Sequence, residues 1–109
     1  MDFNKEELVN DYTNYILNLP EGLKQIINSI EENEYDKLVN QLALFSEGIE
    51  WLHSVTRYLQ HENLKFNIQD IADFLTIVVD SAEKQDYIML SDIIEYELIP
   101  YFENLAVKN

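Results

Sequence analysis

Four residues of the chain recur in order at a fixed distance: Ser29, Glu31, Tyr35 and Leu38 return 52 positions later as Ser81, Glu83, Tyr87 and Leu90. The apolar pattern beside them recurs too, with Leu23, Ile26, Ile27 and Ile30 aligning with Leu75, Val78, Val79 and Ala82. Repetition of this kind constrains the fold more tightly than composition does, because each unit must bury its apolar face against its neighbour. The pattern predicts an all-α chain: an antiparallel bundle of about four helices, built from two repeated hairpins over about 19–60 and 67–107 of a single domain, 1–109.

Composition agrees. With 2 Gly and 2 Pro in 109 residues the chain lacks the tight-turn material of an all-β fold, while 47% apolar residues suffice for one core. The absence of cysteine excludes disulfides, thiolate metal sites and cysteine nucleophiles. The opening Met1 to Glu7 is acidic where an export signal would be basic, and the apolar run Phe74 to Val79, broken by Thr76, is too short to span a bilayer. The expected location is the cytoplasm. A formal net charge of −14, with nine carboxylates and only Lys84 as a base between Asn67 and Glu103, repels nucleic acid and anionic membranes and attracts basic protein surfaces.

The first helix should start at Asn4 as N-cap, with Glu7 completing a capping box and Phe3 packing on Leu8. Its apolar stripe, Leu8, Tyr12, Tyr15, Ile16, Leu19, Leu23, Ile26, Ile27 and Ile30, passes through Pro20. Two outcomes fit: one helix kinked at Pro20, which the unbroken stripe favours, or two helices with Asn18 capping the second. Asn33 is expected to cap a second helix from about Tyr35 to Gln60, followed by a polar loop from His61 to Phe66. Asn67 should cap a third helix with Ile68, Ile71, Leu75, Val78, Val79 and Ala82 inward. The last helix, about Tyr87 to Leu105, should face Leu90, Ile94, Leu98, Tyr101 and Leu105 inward and bend near Pro100. The repeated Glu-x-x-x-Tyr-x-x-Leu element should form the turn within each hairpin, Glu31 and Glu83 ending one helix and Tyr35 and Tyr87 starting the next.

The second helix carries two apolar seams. Leu38, Leu42, Phe45, Ile49 and Leu52 form the ordinary inward stripe, and Leu44, Trp51, Val55 and Tyr58 form another about 130° around the helix. The second seam either packs on the opposite hairpin, making Trp51 core, or anchors a partner, with Gly48 admitting a close helix. Met89, Ile93 and Tyr96 form a weaker seam of the same kind on the last helix. Glu47, Glu50, Asp92, Glu95 and Glu97 are placed to steer a basic partner electrostatically. The same seam would also serve a symmetric homodimer.

Catalytic and cofactor patterns are scarce. Glu50 and His53 share one helical turn as a Glu-x-x-His pair, but carboxylate-bridged di-metal bundles need that pair twice, and the repeat partner of His53 is Leu105. No metal site and no cofactor are expected. The serines lie outside any nucleophile-elbow pattern, and two isolated glycines do not make a phosphate-binding loop.

The segment Tyr87 to Phe102, Tyr-Ile-Met-Leu-Ser-Asp-Ile-Ile-Glu-Tyr-Glu-Leu-Ile-Pro-Tyr-Phe, resembles the carboxy-terminal signature of a small, acidic, all-helical family from Gram-positive bacteria. In size, acidity and helix content the chain also resembles flagellar and type III export chaperones, a likeness that implies a groove for an unassembled helical substrate. The expected function is a non-catalytic protein interaction module, an adaptor or chaperone for a helical or basic partner. A nucleic-acid mimic that inhibits a basic nucleic-acid-binding protein is the alternative, separable by its steep salt dependence; a metal-dependent enzyme using Glu50 and His53 is a weaker one.

Overall fold

A computed structural model describes residues 4–108. Asn4 caps the first helix, α1 (Lys5–Glu31), its side-chain oxygen accepting the Glu7 N–H at 3.1 Å. The expected contact from Phe3 lies outside the described residues. α1 runs unbroken through Pro20, and Asn18 is an interior helical residue whose amide donates to the Asn14 carbonyl at 2.9 Å rather than a cap. Energetics explain the continuity. Tyr12, Ile16, Leu19, Leu23, Ile26, Ile27 and Ile30 are all buried along one side; a buried side chain of this size contributes about 1.5–3 kcal/mol, so the stripe outweighs the cost of about 3 kcal/mol for an interior proline.

The repeat appears in the backbone. After α1 the chain turns into α2 (Tyr35–Tyr58), and after α3 (Ala72–Glu83) it turns into α4 (Tyr87–Ile93). In the first turn Glu34 N–H reaches the Ser29 carbonyl at 2.8 Å and Asn33 N–H the Ile30 carbonyl at 3.1 Å; in the second, Asp86 reaches Ser81 at 2.8 Å and Gln85 reaches Ala82 at 3.1 Å. Both are Schellman closures, with Asn33 (φ 58) and Gln85 (φ 57) in the left-handed position that satisfies the last carbonyls of each helix. Asn33 therefore ends α1 instead of capping α2. The N-cap of α2 is Glu34, which makes no side-chain cap bond, and Asn33 Oδ1 accepts the Tyr35 hydroxyl at 2.7 Å. Tyr35 and Tyr87 stack on each other with centroids 4.8 Å apart, so the two turns meet at one end of the molecule.

The repeat-equivalent serines differ in one respect that makes a test. Both are buried, but Ser81 Oγ bonds the Ile77 carbonyl at 2.7 Å whereas Ser29 Oγ has no partner. Replacing Ser29 by alanine should stabilise the chain by about 1 kcal/mol, since it removes an unpaired hydroxyl and improves helix propensity. Ser81→Ala should leave stability nearly unchanged or lower it. Urea denaturation of the two variants checks this; a loss at Ser29 equal to or larger than that at Ser81 would contradict it.

Three elements depart from the sequence pattern. The connection after α2, 59–67, is not merely polar: Leu59 and Phe66 are buried, and Phe66 N–H donates to the Tyr12 hydroxyl at 2.9 Å. The third helix begins as a 3₁₀ turn, Ile68–Asp70, with Asn67 accepting from Gln69 N–H, and Val79, expected inward, is 57% exposed. The final helical rod is α4, a π-helical segment Ile94–Leu98, and α5 (Ile99–Lys108). Pro100 accounts for the π segment. It offers no N–H to the preceding turn and its ring crowds the carbonyl four residues back, so the ladder widens just before it, Ile99 N–H reaching the Ile94 carbonyl.

α1 is the central element, packing along α2 on one side and along α5 and the π segment on the other, while α3 packs on α4. Among the described residues α2 and α3 do not pack along each other, which leaves one side of the bundle open. The base is held by Tyr101, half-buried, whose hydroxyl donates to Asp70 Oδ2 at 3.0 Å and accepts the Asn67 N–H at 3.4 Å. Burial, with the Asp70 carboxylate beside it, pushes the Tyr101 phenol up to about 12, so it remains a donor across the physiological range.

Candidate functional site

Two apolar depressions flank α2, one on each side. The larger, about 730 Å³, lies between α1 and α2. Its floor is Leu19, Leu23, Ile26 and Phe45, and Leu44 and Trp51 stand on the α2 wall. Asp11 and Glu47 are the charged lining residues, and no lysine or arginine lines it.

Tyr15 and Gly48 set the shape of this groove. A methyl group at Gly48 would coincide with the Tyr15 hydroxyl, so the glycine is the notch into which the tyrosine of the neighbouring helix fits. Tyr15 in turn meets Trp51 in a T-shaped contact, ring centroids 5.7 Å apart and planes at 73°. Burial raises the Tyr15 phenol above its ordinary value. Gly48 thus serves close packing within the chain, and not the approach of a partner helix as its spacing suggested.

The second depression, about 470 Å³, is the open side between α2 and α3. It is lined by Leu42, Phe45 and Ile49 from α2 and by Leu75, Val78, Val79 and Ala82 from α3, with Glu50 and Glu83 as the charged residues. It takes one wall from each repeat unit.

The expected seam on the second helix is divided by this geometry. Leu44, 65% exposed, and half-buried Trp51 line the α1–α2 groove. Tyr58 is exposed but lines neither groove. Val55 is buried in the core and is not available to a partner: it lies near the α2 positions that face α1, so the hairpin itself covers it. Ile93 is likewise buried, which breaks the second candidate surface. Met89 and Tyr96 remain exposed, but the π segment at Ile94–Leu98 alters the helical phase on which their common stripe depended. The neighbouring Glu95 carboxylate raises the Tyr96 phenol above its ordinary value.

The steering carboxylates also separate. Glu47 lines the α1–α2 groove and Glu50 the α2–α3 cleft, whereas Asp92, Glu95 and Glu97 are exposed on the final rod and line neither. Ion pairs use few of the acidic residues: Lys5–Glu62 at 3.1 Å, Lys24–Glu103 at 3.8 Å, Lys37–Glu34 at 3.9 Å and Lys84–Asp80 at 3.1 Å are those among the described residues. No group of three potential metal ligands occurs among the described residues, the Glu50 and His53 pair included. No helix among them is long and apolar enough to cross a membrane.

Sequence reasoning missed the α1 wall of the first groove, Asp11, Tyr15, Asn18 and Gln25, because the tyrosine read as one more inward residue. It also missed the α2–α3 cleft, which has no local signature: its α3 wall is the ordinary inward stripe of that helix. No curated protein and no solved structure matches the chain. Residues 7–108 match the family described as Domain of unknown function (DUF8042), and the chain belongs to that family.

Proposed function

We propose that this chain is a non-catalytic interaction module of the cytoplasm, an adaptor or chaperone that seats an amphipathic basic helix in the α1–α2 groove. The observation that carries the reading is the pairing of an apolar groove, about 730 Å³, with a rim of Asp11 and Glu47 and no base. A partner helix would insert a row of apolar side chains between Leu44, Trp51 and the Leu19, Leu23 and Ile26 floor, and set lysines or arginines against the rim. Aromatic anchors at a groove edge are the residues on which such contacts depend most. The net charge of −14 would raise the rate of encounter with a cationic segment and disfavour acidic ones.

The test is a titration of the full chain with an amphipathic Leu/Lys peptide and with its Leu/Glu counterpart. Trp51 is the only tryptophan, so its emission reports this groove alone. The Leu/Lys peptide should shift that emission to the blue, and the Leu/Glu peptide should not. Affinity should fall only modestly between about 0.05 and 0.5 M salt, because screening weakens the rim and not the apolar contact. Binding that collapses with salt and leaves Trp51 unchanged would instead favour the nucleic-acid mimic.

A further inference from the structure

We infer that the α2–α3 cleft is a second docking site, and that its occupant is another amphipathic basic helix lying across α2 from the first. This rests on the reading of the chain as a module for basic helices and extends it: the protein would hold two helices at once, one on each side of α2.

The repeat carries the argument. Under the 52-residue correspondence α1 matches α3, and α2 matches the rod 87–108. The interface of α1 with that rod therefore has a counterpart in α3 with α2. The first is close-packed; the second is open. Leu23, Ile27 and Ile30 on α1 are buried, while their equivalents on α3 are half-buried Leu75, exposed Val79 and half-buried Ala82. An apolar pattern that accepts a helix in one unit thus stands uncovered in the other. Val39, also exposed, extends the apolar wall on the α2 side, sharing the helix face of Leu42 and Ser46.

Charge selects the kind of helix. Glu50 and Glu83 rim the cleft and no base lines it, so the complementary occupant presents an apolar stripe flanked by lysine or arginine. The same charge disfavours a second copy of this chain, which would bring another net −14 to the contact. The final rod shows the stripe such a surface accepts, with Leu90, Ile94, Leu98, Phe102 and Leu105 all buried.

The full chain is titrated calorimetrically with the Leu/Lys peptide, in parallel with Leu44→Asp, which spoils the α1–α2 groove, and Val79→Asp, which spoils the cleft. Both positions are exposed, so helicity by circular dichroism should be retained. The wild type should take two peptides, and each variant one. The Trp51 emission shift should survive in Val79→Asp and vanish in Leu44→Asp. Glu83→Lys, an exposed charge reversal, should weaken the second site by about tenfold with the first unchanged. One peptide per wild-type chain, with Val79→Asp unaltered, overturns the second site and leaves the first reading standing. Absence of any binding removes both. Light scattering that shows a wild-type dimer and a monomeric Val79→Asp overturns the proposal in favour of self-association.

Discussion

Phe66→Ala is expected to lower stability by about 3–5 kcal/mol, the usual cost of truncating a buried aromatic. That is a large fraction of the roughly 5–15 kcal/mol available to a domain. The size of the effect is unusual for a connecting segment, and two ring contacts of a buried side chain produce it. The ring is 1% exposed; it lies parallel to Phe102 with centroids 6.1 Å apart, and meets Tyr101 edge-on at 6.4 Å. The Phe66 N–H is also tied to the Tyr12 hydroxyl of α1 at 2.9 Å, so the connection is fastened to the core by backbone as well as side chain. Tyr12→Phe isolates the second contribution, since it leaves that buried N–H unpaired at about 1–3 kcal/mol. Because Phe66 and Phe102 touch, the double alanine variant should lose less than the two single losses added together. Urea denaturation followed by circular dichroism measures all four chains. A Phe66→Ala loss under about 1 kcal/mol would mean that the segment merely covers the core, as loops normally do.

Trp51→Ala should weaken the Leu/Lys peptide at the α1–α2 groove by about thirtyfold or more, the range of an aromatic anchor. Its effect on folding should be smaller, about 1–2 kcal/mol, because the indole is half-buried and its ring contact is a single T-shaped one with Tyr15. Leu44→Asp separates binding from folding more cleanly. Leu44 is 65% exposed, so the substitution should change stability by no more than about 0.5 kcal/mol while replacing part of the groove's apolar wall with a carboxylate that an inserted leucine side chain would have to desolvate. Peptide affinity by calorimetry, beside urea denaturation of each variant, distinguishes the cases. Wild-type affinity in a folded Leu44→Asp chain would end the proposed role of the groove. A Trp51→Ala chain that fails to fold would identify the indole as core, and Leu44→Asp would then carry the test alone.

These expectations draw on different depths of the sequence. Helix existence was legible because apolar spacing and capping chemistry are local: Asn4 caps as its side chain allows, Glu31 and Glu83 end helices, and Tyr35 and Tyr87 begin them. Asn33 fits a cap in the sequence because a short polar side chain suits both a helix start and a left-handed helix end, and only the Schellman bonds to Ser29 and Ile30 decide between them. Phe66 carries no signal for the opposite reason, being one aromatic residue in a polar, aperiodic stretch. The candidate site fared similarly. Leu44 and Trp51 stood out by spacing and do line a groove, but Val55 and Ile93 share that spacing and are buried.

The sequence by itself determined the helices, their order, the paired hairpin turns and the strong negative charge, since each follows from neighbouring residues or from a count. The tertiary structure alone decided which apolar stripes are covered. Leu23, Ile26, Ile27 and Ile30 carry much the same pattern as Leu75, Val78, Val79 and Ala82, yet the first set is buried while Val79 lies open to solvent. The physical reason is that a stripe's periodicity fixes only the face it occupies. Whether that face is dry depends on how the helices opposite are spaced, and that spacing is set by contacts remote in sequence: Tyr15 seated on Gly48 and Tyr35 stacked on Tyr87.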